Sequence, residues 1–242
     1  MKKVIFTLIS VILIIFGSLL IYLIIKKNKI NKLLKQKPIK KYYEELKKKD
    51  TYFPIEKISP NLITVVIALE DNNFYKHKGI DLIKTLHALI LNIISLRIVA
   101  GGSSITQQLA KNMYFSFDKK ISRKIEELFV AFRLEKELTK KEILDIYLNI
   151  IDYGVGYQKL GIKNACKIYY NDTPDNLSLN QAITLASILP SPYYYSPLYK
   201  GEEYYFPRVR KRCLNCLAKK GVILEEEIEK YNKASYNDYI VD

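Results

Sequence analysis

From Val4 to Ile25 the chain runs for 22 residues without a charged side chain. At a rise of about 1.5 Å per residue, a helix of that length crosses a hydrocarbon core about 30 Å thick. A helix is also the form in which a single segment satisfies all of its own backbone hydrogen bonds in lipid. The run is too long for the apolar part of a secretory signal, and Ile24-Ile25-Lys26-Lys27 offers no small-residue cleavage site. Residues 1–25 are therefore expected to form a retained transmembrane anchor.

The formal charge of +14 is concentrated beside that run. Residues 1–50 hold 13 Lys against Glu44, Glu45 and Asp50, whereas the remaining 192 residues carry 26 basic and 22 acidic side chains. A basic strip next to an apolar span suits anionic membrane lipid, at about 1 kcal/mol per Lys near the surface. Nucleic acid is not an expected partner, because the charge is not interleaved with aromatics on a globular face. Residues 26–53, interrupted by Pro38, read as a basic stalk near the membrane, and 54–242 as one domain with no room for a second large one. Lys2 and Lys3 precede the span while eight Lys between Lys26 and Lys41 follow it, so the positive-inside rule alone puts the main domain in the cytoplasm. Cys166, Cys213 and Cys216 imply no disulfide framework, and Cys213-x-x-Cys216 lacks the second ligand pair of a zinc site.

Periodicity makes the domain mainly α. The apolar run Leu62–Leu69 predicts a helix over 61–72, with a strand as the alternative because Val65–Ile67 is β-branched. Residues 81–99 are too polar to span a membrane and apolar enough to lie at its surface; a buried core helix is the other reading. Gly101-Gly102 breaks that run, and Ser103 and Ser104 offer N-cap hydroxyls to a helix through Asn112. A helix is predicted over 123–138, and Thr139 with Glu142 forms a capping box for the next. Gly154, Gly156 and Gly161 mark a loop, and further helices are expected at 161–170, 178–189 and 206–219.

Three clusters carry chemistry. Glu70-Asp71-Asn72-Asn73-Phe74-Tyr75-Lys76-His77-Lys78-Gly79 puts two carboxylates at the end of an apolar element, where desolvation would raise the Glu70 pKa toward working pH. Gly101–Asn112 joins a flexible turn to free helix-start amides and hydroxyls, which favour an anion such as phosphate, with Gln107 beside Lys111 and Gln108 beside Asn112. In Arg123-Lys124-Ile125-Glu126-Glu127, Arg123 and Glu127 stand four apart on one face, a spacing that an ordinary surface ion pair explains equally well.

In this order the clusters resemble glycosyltransferase family 51, the peptidoglycan glycosyltransferases, and within it the single-function members that carry the transglycosylase domain of class A penicillin-binding proteins without a transpeptidase. The resemblance covers residues 54–222. It rests on Glu-Asp-x-x-Phe-x-x-His-x-Gly at Glu70–Gly79, Gly-Gly-Ser-x-Ile-Thr-Gln-Gln-x-x-Lys-Asn at Gly101–Asn112 and Arg-Lys-x-x-Glu at Arg123–Glu127. Ile143-Leu144 with Tyr147-Leu148-Asn149, and Leu185-Ala186 with Leu189-Pro190 and Pro192, complete it. The likeness implies a lysozyme-like helical domain with a cleft, acting on lipid II and a growing glycan strand at the outer face of the bacterial cytoplasmic membrane. It implies Glu70 as the general base and Glu127 as a second catalytic carboxylate that orients groups around the pyrophosphate or holds a divalent metal, Mg2+ or Mn2+, with no organic cofactor. Ser103, Gln107, Gln108, Lys111, Asn112, Lys119, Arg123 and Lys124 would bind substrate, and Asp71, Phe74 and His77 would shape the base's surroundings as part of the same set. Membrane lipids and other cell-wall synthesis proteins are the further partners it suggests, and the alternative activity is a lysozyme-like peptidoglycan hydrolase.

Departures from the family pattern are Ser104, where Thr is usual, and two additional residues between Gly156 and Gly161. Ser116-Phe117-Asp118-Lys119 reads as the Ser-x-x-Lys of penicillin-binding enzymes but lacks its companion motifs, so no transpeptidase is expected.

Overall fold

The apolar run and the residues after it form one uninterrupted helix, α1 (Lys2–Gln36), in a computed structural model that describes residues 2–97, 101–115, 121–154, 161–198 and 205–233. Every large apolar side chain from Val4 to Phe16 is exposed, as suits a span whose solvent is lipid. After the bilayer segment one face of the same helix turns inward, and Ile30 and Leu34, four apart, are buried in the protein core. Pro38 ends α1 and starts α2 (Ile39–Lys47), which buries Ile39, Tyr43 and Leu46 at helical spacing. The expected stalk is thus packed against the domain.

Polar contacts fix it there. Asp145, on α7 (Lys140–Ile150), accepts from the hydroxyls of Tyr43 at 2.6 Å and Tyr52 at 2.7 Å and from the backbone N–H of Ile55 at 2.9 Å. Asn149 one turn on takes both the N–H and the C=O of Phe53. Burial pushes the Asp145 carboxyl up, and the three donors oppose that shift. Glu126, on α6 (Ile121–Glu137), is buried against α1 and pairs with Lys26 at 2.7 Å and Lys29 at 2.9 Å.

Among the described residues every regular element is helical. α3 (Pro60–Glu70) starts with Pro at its first position, where a missing N–H costs nothing, and buries Leu62, Val65, Val66 and Ala68. It packs on α9 (Leu179–Ile188) and α11 (Phe206–Lys219). The strand alternative for this segment does not hold. The helix ends at residue 70, short of the expected 72, because Asp71 leaves the helical conformation and sends its carboxylate to other partners. α5 (Ile105–Tyr114) lies between α6 and α7 at the centre of the core. Capping boxes open α5 (Ser104 with Gln107), α7 (Thr139 with Glu142) and α9 (Ser178 with Gln181). Each matches local chemistry visible in sequence.

α4 (Leu82–Ile94) has two unlike faces. Leu82, Ile83, Leu86, Leu89, Ile90 and Ile93 are exposed, Ile83 at 81%, while Lys84, Thr85 and Ala88 face the domain. The buried-core reading of this segment does not hold; residues 98–99 lie outside the described residues. α8 (Ile162–Tyr170) follows Gly161, whose φ of +88° and approach to the Asn149 carbonyl leave no space for a Cβ. The short α10 (Pro192–Tyr195) and α12 (Glu227–Lys233) complete the described helices. A mainly α domain behind an N-terminal span is the architecture the sequence predicts.

Candidate active site

Glu70 occupies the last position of α3, and its carboxylate is half-buried. Its Oε2 accepts from Gln108 Nε2 at 2.7 Å, and Gln108 Oε1 in turn accepts from the Tyr147 hydroxyl at 3.1 Å. The amide of Gln108 is thereby oriented from behind by α7 and in front by the carboxylate, which leaves one Glu70 oxygen outside this relay. Burial pushes the Glu70 carboxyl above its ordinary range, reinforced by the neighbouring Asp71 charge and opposed by the Gln108 hydrogen bond and by Lys84 and Lys111. A carboxylate held and raised in this way suits proton abstraction from a hydroxyl.

Asp71 points elsewhere. It is fully buried, and its Oδ2 accepts from the Ile105 N–H at 2.9 Å, at the start of α5. His77 Nε2 lies 2.9 Å from the same oxygen and 3.0 Å from the other. Phe74 is also fully buried, edge-on to His77 and Tyr75, with the Lys140 ammonium 4.4 Å from its ring centroid. Asp71, Phe74 and His77 were expected among the substrate-binding residues. The first two are fully buried and His77 is partly buried, and together they brace the loop behind Glu70. A cavity of about 630 Å3 is lined in part by Tyr75, His77, Phe132 and Lys140 and not by Glu70.

The cationic half of the site is built on α5 and α6. Lys124 Nζ donates to Ser103 Oγ at 3.0 Å and pairs with Glu127 Oε2 at 2.8 Å, while Arg123 Nε stands 2.9 Å from Glu127 Oε1. Glu127 is fully buried under these two cations. Lys111 is half-buried where it feels Glu127, Lys124, Arg123 and Glu70; burial pulls its pKa down, and the two carboxylates resist. Glu126 and Glu127, adjacent in sequence and about 100° apart around α6, have different partners: one grips α1, the other anchors the cations.

The other expected contact residues differ in burial. Gln107 is buried with its Oε1 engaged by the Ser104 N–H in the capping box, so it is a helix-start residue before anything else. Asn112 is half-buried on α5, one turn beyond Gln108. Lys119 lies outside the described residues, as do the Ser116–Lys119 tetrad and the loop with two additional residues before Gly161. Lys84 and Tyr147, neither of them among the residues the clusters point to, also reach the site: the Lys84 ammonium donates to the backbone carbonyls of Glu70 and of Ser103, the latter at 2.9 Å, and the Tyr147 hydroxyl donates to Gln108. The available signal for Lys84 was its isolation as the one Lys, Arg, Asp or Glu between Leu82 and Leu96.

Residues 35–217 match the family described as Transglycosylase. The chain belongs to that family. The match starts within α1, so the transglycosylase unit includes much of the segment expected to be a stalk. Among curated relatives, the chain is 36% identical to penicillin-binding protein 1A of Aquifex aeolicus over 79% of its own length and 27% of that protein's. It is 39% identical to penicillin-binding protein 1A of Escherichia coli over 60% of the chain and 17% of that protein. It is 40% identical to the biosynthetic peptidoglycan transglycosylase of Nitrosospira multiformis over 63% of the chain and 68% of that protein. The chain thus spans only a fraction of the penicillin-binding proteins and about two thirds of the biosynthetic peptidoglycan transglycosylase.

Proposed function

We propose that this membrane-anchored transglycosylase polymerises lipid II into glycan strands. The observation that carries this reading is the pairing of a half-buried carboxylate, Glu70, with a cationic group formed by Lys111, Arg123 and Lys124 around Glu127. Glu70 takes the proton from the sugar 4-hydroxyl of the acceptor as that oxygen attacks C1 of the strand's terminal sugar. The bond from C1 to the lipid pyrophosphate breaks with inversion, giving a β-1,4 linkage. The cations receive the charge that develops on the departing pyrophosphate, where fixed positive groups lower the barrier most.

Glu127, held by Arg123 and Lys124, is the carboxylate that would hold a divalent ion here together with pyrophosphate oxygens, and that ion would add to the positive charge the three cations supply. The outer face of the membrane is the side on which lipid-linked substrate is polymerised, and this reading places the domain there with its lysines against anionic headgroups.

Glu70→Gln keeps size and much of the hydrogen bonding to Gln108 but removes the basic oxygen. Turnover of lipid II by the solubilised protein is expected to fall by about 10²–10⁴, the usual contribution of general-base catalysis. Binding of a donor-site inhibitor should change little, because it rests on Lys111, Arg123 and Lys124. Near-normal polymerisation by the variant sinks the assignment of the base, and release of sugars from purified glycan by the parent protein would favour the hydrolase.

A further inference from the structure

α4 is joined to the active site by one charged side chain and one hydroxyl. Lys84 Nζ donates to the carbonyl of Glu70, at the C-terminal end of α3, and to the carbonyl of Ser103 at 2.9 Å. Next to it, Thr85 Oγ1 lies 3.0 Å from the Gly102 carbonyl and 2.7 Å from that of Asp81. The two backbones approach so closely that a Cβ on Gly102 would meet Thr85 Cα at 3.0 Å and Ala88 Cβ at 3.2 Å. Ser103, whose carbonyl Lys84 holds, carries the hydroxyl that Lys124 contacts. Lys84 therefore touches both halves of the site, the carboxylate end and the cationic end, from a helix whose other face is apolar and exposed.

We propose that Lys84 is a positioning residue for sugar transfer: its ammonium ties the end of α3 at Glu70 to the Ser103 carbonyl and holds a positive charge beside the Glu70 carboxylate. This rests on the reading of Glu70 as the base. A purely structural role is the competing account, since a cation at the last carbonyls of a helix is favourable wherever it occurs. The two differ in what happens to the base. The groups facing Glu70 are Lys84 from α4, Gln108 and Lys111 from α5, Tyr147 from α7, Cys213 from α11 and its neighbour Asp71. Of these, Lys84 and Lys111 are the two cations, and both act to keep the carboxylate ionised against its burial. Removing the Lys84 charge leaves Lys111 alone in that task.

The test compares Lys84→Gln and Lys84→Arg with the parent full-length protein in lipid II polymerisation from acid to neutral pH, with thermal unfolding as a check on folding. Lys84→Gln keeps one amide donor but no charge. It is expected to lose turnover on the order of 10- to 100-fold, the scale of a small misplacement of reacting groups, and to displace the acidic limb of the rate profile to higher pH. Lys84→Arg retains the charge, so its limb should stay where the parent's is while part of the rate returns. An unmoved limb in a folded Lys84→Gln protein overturns the proposal, whether or not rate is lost. If the Gln variant does not fold, the Arg variant decides: an unmoved limb supports the proposal and a displaced one overturns it. Glu70→Gln, run in parallel, separates the two readings, because activity in that variant sinks the base, whereas its inactivity beside a parental Lys84→Gln sinks only the role of Lys84.

Discussion

Glu70 and Asp71 are adjacent acids with opposite tasks, and the backbone separates them. Helical geometry holds through Glu70 and is abandoned at Asp71, so one carboxylate reaches the relay from Gln108 and Tyr147 while the other turns inward to Ile105 and His77. Because burial raises the Glu70 carboxyl, the proposed base loses its negative charge at a higher pH than an ordinary glutamate would. The acidic limb of kcat/KM is therefore expected above the usual carboxylate range, with activity lost as pH falls through it; a limb at the ordinary position would contradict the burial argument. Asp71→Ala should act on stability, since each buried donor left without its acceptor costs about 1–3 kcal/mol. Denaturant unfolding would show that loss, and an unchanged midpoint would mean that His77 and Ile105 find other partners.

At the level of helices, what could be read in advance was what depends on neighbours in sequence. The capping boxes, the α6–α7 break and the long apolar span follow from residues three or four apart, and each is present. Contacts across the fold left little trace. Ile30, Leu34, Ile39, Tyr43 and Leu46 have helical spacing but are diluted among lysines, so their burial was hidden by the charge around them. Asp145 gives no local sign that Tyr43 and Tyr52, about a hundred residues earlier, supply its donors. Two expectations test helix faces directly. The chain has no Trp, so Leu86→Trp provides a single probe on the exposed side of α4. In vesicles with brominated lipid its emission should be blue-shifted and quenched, and a solvent-like spectrum would remove this helix from the membrane surface. Glu126→Gln should loosen α1 from α6. The cost is about 1–3 kcal/mol, less than the 3–5 of a fully buried pair because Lys29 is largely in solvent, and it is measurable as a lower unfolding midpoint.

For the molecule as a whole, the two acids of α6 link the membrane side to the reaction side through a single helix. Glu126 grips α1 and Glu127 collects Arg123 and Lys124, so the height of the cationic group above the bilayer is set by α1 within one turn. Each residue of α1 beyond the apolar run adds about 1.5 Å to that height and about 100° of rotation. Since α1 continues without a break from Lys2 to Gln36, there is no joint between anchor and domain. With α1 in a bilayer and a strand growing at the site, as proposed above, anchor and domain would turn about the membrane normal as one body, and any pull by the strand would reach the bilayer as torque on the span.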